Sequence, residues 1–220
     1  RSELAVAELV AMVRQHMGLL PDHTVDMPAL ATLAQEDFCV MQARPDGRYA
    51  LTAALLCFPA HWRLAEKLGR TMSEIHAPVP GFNGRLGAPA DRFFTSLLPE
   101  RPVWRANWSV VESPILYHPQ PREPLADLTA EDAGQRLWMR IERQTLRRLP
   151  QTRAVVFTIR TLIRRLDEIV TEPGIAAALA QRLREMEPGM AGYKGLPALG
   201  PPLLGYLDRV AQEEATTDRQ

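Results

Sequence analysis

Five histidines are the side chains of this sequence best suited to bind a metal or move protons near neutral pH: His16, His23, His61, His76 and His118. No two have HExxH spacing, and the two cysteines, Cys39 and Cys57, form no CxxC, so a closed zinc site is not expected. Gly84-Arg85-Leu86-Gly87 is too poor in glycine to cradle a phosphate, and no GxSxG elbow occurs. His76 is unusual because it is succeeded directly by Ala77-Pro78-Val79-Pro80-Gly81. Two prolines and a glycine fix the exit of the chain, and a stiff element suits a metal ligand that must keep one orientation. The plainer alternative is a helix-ending histidine bonded to local carbonyls. His61 begins a predicted helix after Cys57-Phe58-Pro59-Ala60, where an exposed histidine is the plainer outcome. Cys57 could serve as a thiolate ligand, but its apolar strand favours a buried, inert thiol.

Arg143 shares strand parity with Leu137, Met139 and Ile141. If that face is inner, the guanidinium needs an acidic or anionic partner; if the strand bulges first, it is exposed. Tyr193-Lys194-Gly195 lies in a stretch rich in proline and glycine, which either closes over a pocket or is a linker.

Elements of several kinds must position these residues. Leu4, Leu9, Met12, Val13 and Met17 repeat at helical spacing, and Gly18 and Pro21 end that helix. Phe38 to Ala43 and Tyr49 to Phe58 flank a Pro-Asp-Gly turn, which predicts a hairpin. Pairing Arg44 with Arg48 puts Cys39 opposite Ala53, so a cross-strand disulfide to Cys57 is not expected. Short helices are predicted over 62–68 and 71–76, and a longer one over 85–98. Residues 102–112, 137–149 and 154–163 read as strands, the last two joined by the tight connection 150–153. Pro119 to Asp132 reads as an exposed loop, and 168–187 and 203–214 as helices. The predicted class is α+β: a PAS-like antiparallel sheet with inserted short helices, plus N- and C-terminal helices. The divisions expected are 1–36 (helical), 37–166 (PAS-like ligand-binding domain) and 167–220 (helical extension).

The 220 residues suit one sizeable domain, and 46% are apolar, enough for a core. Lys and Arg together number 26, as do Asp and Glu, so no net charge argues for nucleic acid or an anionic membrane. No apolar run reaches the length of about 18 residues needed for a membrane span. The start lacks the basic residues and cleavage site of a signal peptide and lacks Met, as expected of a trimmed chain. Two unpaired thiols fit the cytoplasm.

Four ordered segments go beyond pattern: CFPAHWRLAEKLGRTMSEIHAPVPGFN, RPVWRANWSV, RIERQTLRRLPQTRAVVFTIRTLIRRLDE and YKGL. Together they resemble the haem-dependent oxidative N-demethylase α-subunit-like family, also described as dimethylamine monooxygenase subunit-like. The resemblance spans about Phe38 to Leu196. It implies a PAS-like domain that binds haem b, with His76 of the IHAPVPG motif as the iron ligand. It implies Arg143 of RIERQ, and Tyr193 and Lys194 of YKGL, around the cofactor, with Glu187 shortly before them. Arg143 or Tyr193 would then donate hydrogen bonds on the oxygen side, and Glu187 would hold the substrate ammonium or take its proton. The implied activity is monooxygenation of a small secondary amine to a primary amine and formaldehyde. The electrons would come from NADPH through a separate flavin and iron–sulfur reductase. The chain departs from the family at His61, where a small residue is expected, and at Leu162, where an aromatic is expected. It has neither the cysteine pattern nor the length for its own flavin or iron–sulfur module, so a partner is required. Two alternatives to an enzyme are a PAS-type haem or gas sensor and a PAS-like scaffold without cofactor.

Overall fold

A computed structural model describes residues 2–19, 26–121 and 125–217; Pro21 and His23 lie outside the described residues. In chain order the elements are α1 (Ser2–His16), a 3-10 turn (Met27–Ala29), α2 (Leu30–Leu33), β1 (Asp37–Ala43) and β2 (Tyr49–Leu55). A second 3-10 turn (Leu64–Glu66), α3 (Met72–Ile75), α4 (Phe82–Arg85) and α5 (Gly87–Ser96) precede β3 (Val103–Val111). Then come α6 (Ala133–Arg136), β4 (Trp138–Arg148), β5 (Val155–Arg165), α7 (Leu166–Ile169), α8 (Ile175–Arg184), α9 (Pro188–Tyr193) and α10 (Leu196–Thr217). The strands form one antiparallel sheet in the order β2-β1-β5-β4-β3, with α3 to α5 inserted between β2 and β3. That is the PAS-like α+β arrangement expected from the sequence.

The β1–β2 turn is built as its residues demand. Gly47 adopts a φ of 82°, which a side chain would oppose, and Arg44 N–H donates to Arg48 O at 2.8 Å. The register differs from expectation farther along. Val40 pairs with Ala53 but Met41 with Leu51, so Thr52 is an extra residue and the strand bulges. Its hydroxyl lies 3.3 Å from Val40 O and 2.8 Å from Gln42 Oε1. Cys39 therefore faces Ala54, not Ala53. Both cysteines are free.

The chain divides into two compact units. The first comprises residues 1–107, 117–120 and 142–161; the second comprises 108–116, 121–141 and 162–220. In the first unit β1 is buried on both faces. Phe38 and Val40 pack with Ala5, Leu9 and Val10 of α1, whereas Cys39 and Met41 pack with Tyr49, Leu51, Phe94 and Leu97. The alternation of a strand sends successive side chains to opposite faces. On α1 the stripe from Leu4 to Met17 is only partly inward: Ala5, Leu9 and Val10 are buried, while Leu4 and Met17 are exposed.

The core of the second unit is dominated by leucines, with Leu137, Leu166, Leu203 and Leu207 fully buried. Several predicted helices differ in extent. The helix over 168–187 is interrupted at Pro173-Gly174, where Gly174 has φ 79°, so α7 and α8 are separate. The helix over 85–98 is α5, shortened to Gly87–Ser96, with the separate turn α4 before it, and that over 62–68 shrinks to a 3-10 turn. Conversely, α10 starts at Leu196 and takes Pro201 and Pro202 inside it. A Cβ on Gly134 would lie 2.4 Å from Tyr206 Cζ, and one on Gly205 would lie 2.9 Å from Ala130 Cβ. A side chain at either position would force its neighbour to shift. No helix among the described residues is long and apolar enough to cross a membrane.

Candidate functional site

His76 is positioned by a capping box. The Thr71 hydroxyl accepts from Glu74 N–H at 3.4 Å, and the Glu74 carboxylate accepts from Thr71 N–H at 2.7 Å, so a single turn of helix starts cleanly at Met72. Thr71 is itself buried and bridges to Ala50 of β2, which ties that turn to the sheet. His76 is its C-cap: the backbone N–H donates to Met72 O at 3.0 Å. Lys67 Nζ donates to the Ile75 carbonyl at 3.0 Å, satisfying another carbonyl at this helix end. The proline-rich exit folds into successive turns, Val79 N–H to His76 O and Phe82 N–H to Val79 O. Gly81, at φ 70°, then starts α4 and brings the Phe82 ring back over His76, stacked at 4.4 Å and 15°.

The imidazole is set up chemically as well as sterically. His76 Nδ1 lies 2.9 Å from Met72 O; a carbonyl only accepts, so Nδ1 carries the proton and donates. Burial pushes the His76 pKa below its ordinary value; the Met72 bond opposes this, and the Arg105 and Lys67 cations add to it. The ring is neutral near pH 7 with its lone pair on Nε2, which makes no hydrogen bond among the described residues. An Nδ1–H given to a backbone carbonyl is the arrangement that orients a ligating imidazole.

Arg105 of β3 extends this neighbourhood. Its Nε donates to Gln144 Oε1 at 2.8 Å, and Gln144 Nε2 donates to Glu142 Oε2 at 3.1 Å. This changes the reading of the RIERQ segment. Arg143 is exposed, whereas Gln144, Leu146 and Arg148 are buried. The inward face shared with Met139 and Ile141 belongs to the second unit's core and does not continue to Arg143. In the first unit the opposite parity of β4 is inward, so Gln144 meets the histidine's cationic neighbour. Arg105, Glu142 and Gln144 were not singled out by the sequence. The alternation of RPVWRANWSV marks Arg105 as a strand residue but not its face.

The remaining residues separate into different settings. His61, in the left-handed region at φ 58°, donates its N–H to His118 O at 2.7 Å and its Nδ1–H to Gln120 O at 2.8 Å. The two rings lie 4.9 Å apart, so the fold joins histidines that are remote in sequence. Glu187, Tyr193 and Lys194 belong to the second unit. Glu187 caps α9, accepting from Gly189 N–H and Met190 N–H at 3.1 Å each. Tyr193 is exposed. Lys194 Nζ donates to Trp108 O at 2.5 Å and lies 5.4 Å over the Trp108 ring. Burial, and then the Asp37 charge, raise both thiols; Cys39 is pushed up to about 12. The buried Asp37 instead accepts from Cys57 N–H at 2.6 Å and Phe58 N–H at 3.0 Å, so a Cys57 thiolate is disfavoured.

The sheet order and the helices inserted after β2 define a PAS-like α+β protein, and His76 beside them is an imidazole whose Nε2 makes no hydrogen bond among the described residues. The family model for haem-dependent oxidative N-demethylase, alpha subunit-like proteins matches residues 2–204. The chain belongs to that family, whose name joins haem dependence and oxidative demethylation with an alpha-subunit role beside a partner.

Proposed function

We propose that this chain is the haem-binding subunit of a monooxygenase that demethylates a small secondary amine to a primary amine and formaldehyde. The observation that carries this reading is the state of His76: neutral, stacked on Phe82, its Nδ1 proton given to Met72 O and its Nε2 uncommitted. That donor would suit His76 to hold the iron of haem b. Haem, when bound, supplies the iron that activates O2, the hard chemistry the side chains lack. The chain's part is to bind, orient and exclude water. Arg105, held by Gln144 and Glu142, offers positive charge beside His76 for a haem carboxylate. The Glu142 carboxylate offers a negative charge that can hold an ammonium substrate by a charge-assisted hydrogen bond. Roles for Arg143, Glu187, Tyr193 and Lys194 at the cofactor or substrate rest on the resemblance of their motifs. Electrons come from a separate flavin and iron–sulfur reductase, in a cytoplasmic setting that suits two free thiols.

Haem titration followed at the Soret band tests the reading. His76→Ala should lose or weaken haem, with added imidazole restoring the band, while His61→Ala should retain it. Wild-type protein supplied with haem, an external reductant, O2 and a secondary amine should release formaldehyde. Loss of haem in His61→Ala with a normal His76→Ala would move the ligand to the His61–His118 pair. Tight haem binding without formaldehyde from any secondary amine would favour a haem or gas sensor or a non-catalytic haem-binding protein instead.

A further inference from the structure

A groove of about 800 Å³ in the first unit contains a positive charge with no counter-ion among the described residues. It is lined by the β1–β2 turn end, the start of α1 and the β4–β5 connection. Arg148, the last residue of β4, lines it while only 4% exposed. Nη2 of Arg148 donates to Tyr49 Oη at 2.8 Å and to the Phe94 carbonyl, and Nη1 donates to the Arg153 carbonyl at 3.0 Å. Nε is buried and has no hydrogen-bond partner. Every partner is neutral, and no described carboxylate pairs with the guanidinium. Two acids on neighbouring elements are engaged elsewhere: Glu8 with Gln151 and Thr152, and Asp91 with Tyr49 N–H at 2.9 Å.

A buried cation without a partner is costly, and a buried lysine or histidine relieves that cost by losing its proton. Arginine does not have this route, because it stays protonated at any physiological pH. Relief must come from an anion, and the surroundings favour one. No described residue lining the groove is Asp or Glu, whereas Arg44 and Arg153 add two exposed guanidiniums. Arg153 is also held in the left-handed region at φ 61°, unfavourable for a residue with a side chain, and its carbonyl is the one that accepts from Arg148. Beyond the arginines the lining is largely apolar: Leu4, Ala43, Leu51, Leu68 and Ala154.

We propose that this groove is a binding site for a small carboxylate with an apolar body, its carboxylate seated at Arg148 and its hydrocarbon on the leucines. The planar fork of a guanidinium matches a carboxylate, and a bare phosphate would leave the apolar lining unused. His76 and the residues that bond or stack with its ring, Met72 and Phe82, do not line the groove, so the proposal does not rest on haem ligation.

Calorimetric titration of the full chain with hexanoate tests it, with hexylammonium as the control of equal length and opposite charge. Hexanoate should bind saturably at one site, and hexylammonium should show no saturable binding. Arg148→Gln should weaken hexanoate at least tenfold. Because that variant removes a buried network and can fail to fold, Gln42→Glu is the second arm. It keeps Arg148 and the side-chain size while placing a carboxylate in the groove, and should also weaken hexanoate at least tenfold. The proposal is overturned if hexanoate binds no better than hexylammonium, or if Gln42→Glu binds it as well as wild type. Displacement of hexanoate by inorganic phosphate at a lower concentration than by a second carboxylate would also overturn it.

Discussion

Thr71→Ala should weaken haem binding without touching the ligand. Thr71 is the N-cap of the single helical turn that ends at His76, and it is 1% exposed. The substitution removes the hydroxyl that accepts from Glu74 N–H and donates to Glu74 Oε2 at 2.7 Å; only the Thr71 N–H to Glu74 bond survives. Loss of such a cap costs about 1–2 kcal/mol. A helix of four residues has no further turns to share that loss, so it falls mainly on local order around His76. If an ordered α3 is needed to present Nε2, the apparent dissociation constant for haem should rise about 5- to 30-fold, the same free energy expressed as affinity. Thr71→Ser keeps the hydroxyl and should recover most of the loss, while Thr71→Val keeps the volume and should not. Haem titration at the Soret band, beside urea unfolding of the haem-free protein, separates the two effects. The reasoning is refuted if Thr71→Ala lowers the unfolding midpoint but binds haem as wild type does, for then α3 does not position the ligand. It is refuted equally if neither quantity moves.

Three further outcomes are expected. The His76 pKa is lowered in the folded protein, so the unfolded chain takes up this proton first as pH falls from about 6.5. Stability of the haem-free protein should therefore decline with falling pH through the folded value, and His76→Asn should remove that part of the slope; an unchanged slope would contradict a neutral buried ring. Cys39 should resist iodoacetamide in the native protein at pH 8 and Cys57 should react slowly, while both react in denaturant, as peptide mass mapping would show. Gly134→Ala brings a methyl group 2.4 Å from Tyr206 Cζ, at an overpacking cost of about 1–3 kcal/mol against roughly 1 kcal/mol of gained helix propensity. Urea unfolding should show net destabilisation, and a variant as stable as wild type would mean that the Tyr206 ring moves aside freely.

Local signals in the sequence were sufficient for the order of the five strands and for the family. Alternation placed β3, the short connection at 150–153 joined β4 to β5, and the turn at Pro45-Asp46-Gly47 set its end of the β1–β2 hairpin. The IHAPVPG segment singled out His76 because proline and glycine constrain the chain wherever they occur. What sequence could not settle was direction. A single extra residue, Thr52, moves the partner of Cys39 by one place, and no local pattern announces a bulge. Likewise, the inward face of β4 changes parity between its two ends, burying Met139 at one and Gln144 and Arg148 at the other, so Arg143 points to solvent. Pro201 and Pro202 end a helix by local preference, but packing of Leu199, Leu203 and Leu207 into the second core overrides it. The pairing of His61 with His118, the Arg105–Gln144–Glu142 chain and the isolated charge of Arg148 each join residues tens of positions apart or bury a group that sequence alone would leave in water. Such features arise only when the chain closes on itself, because burial and contact are properties of the whole fold and not of any segment.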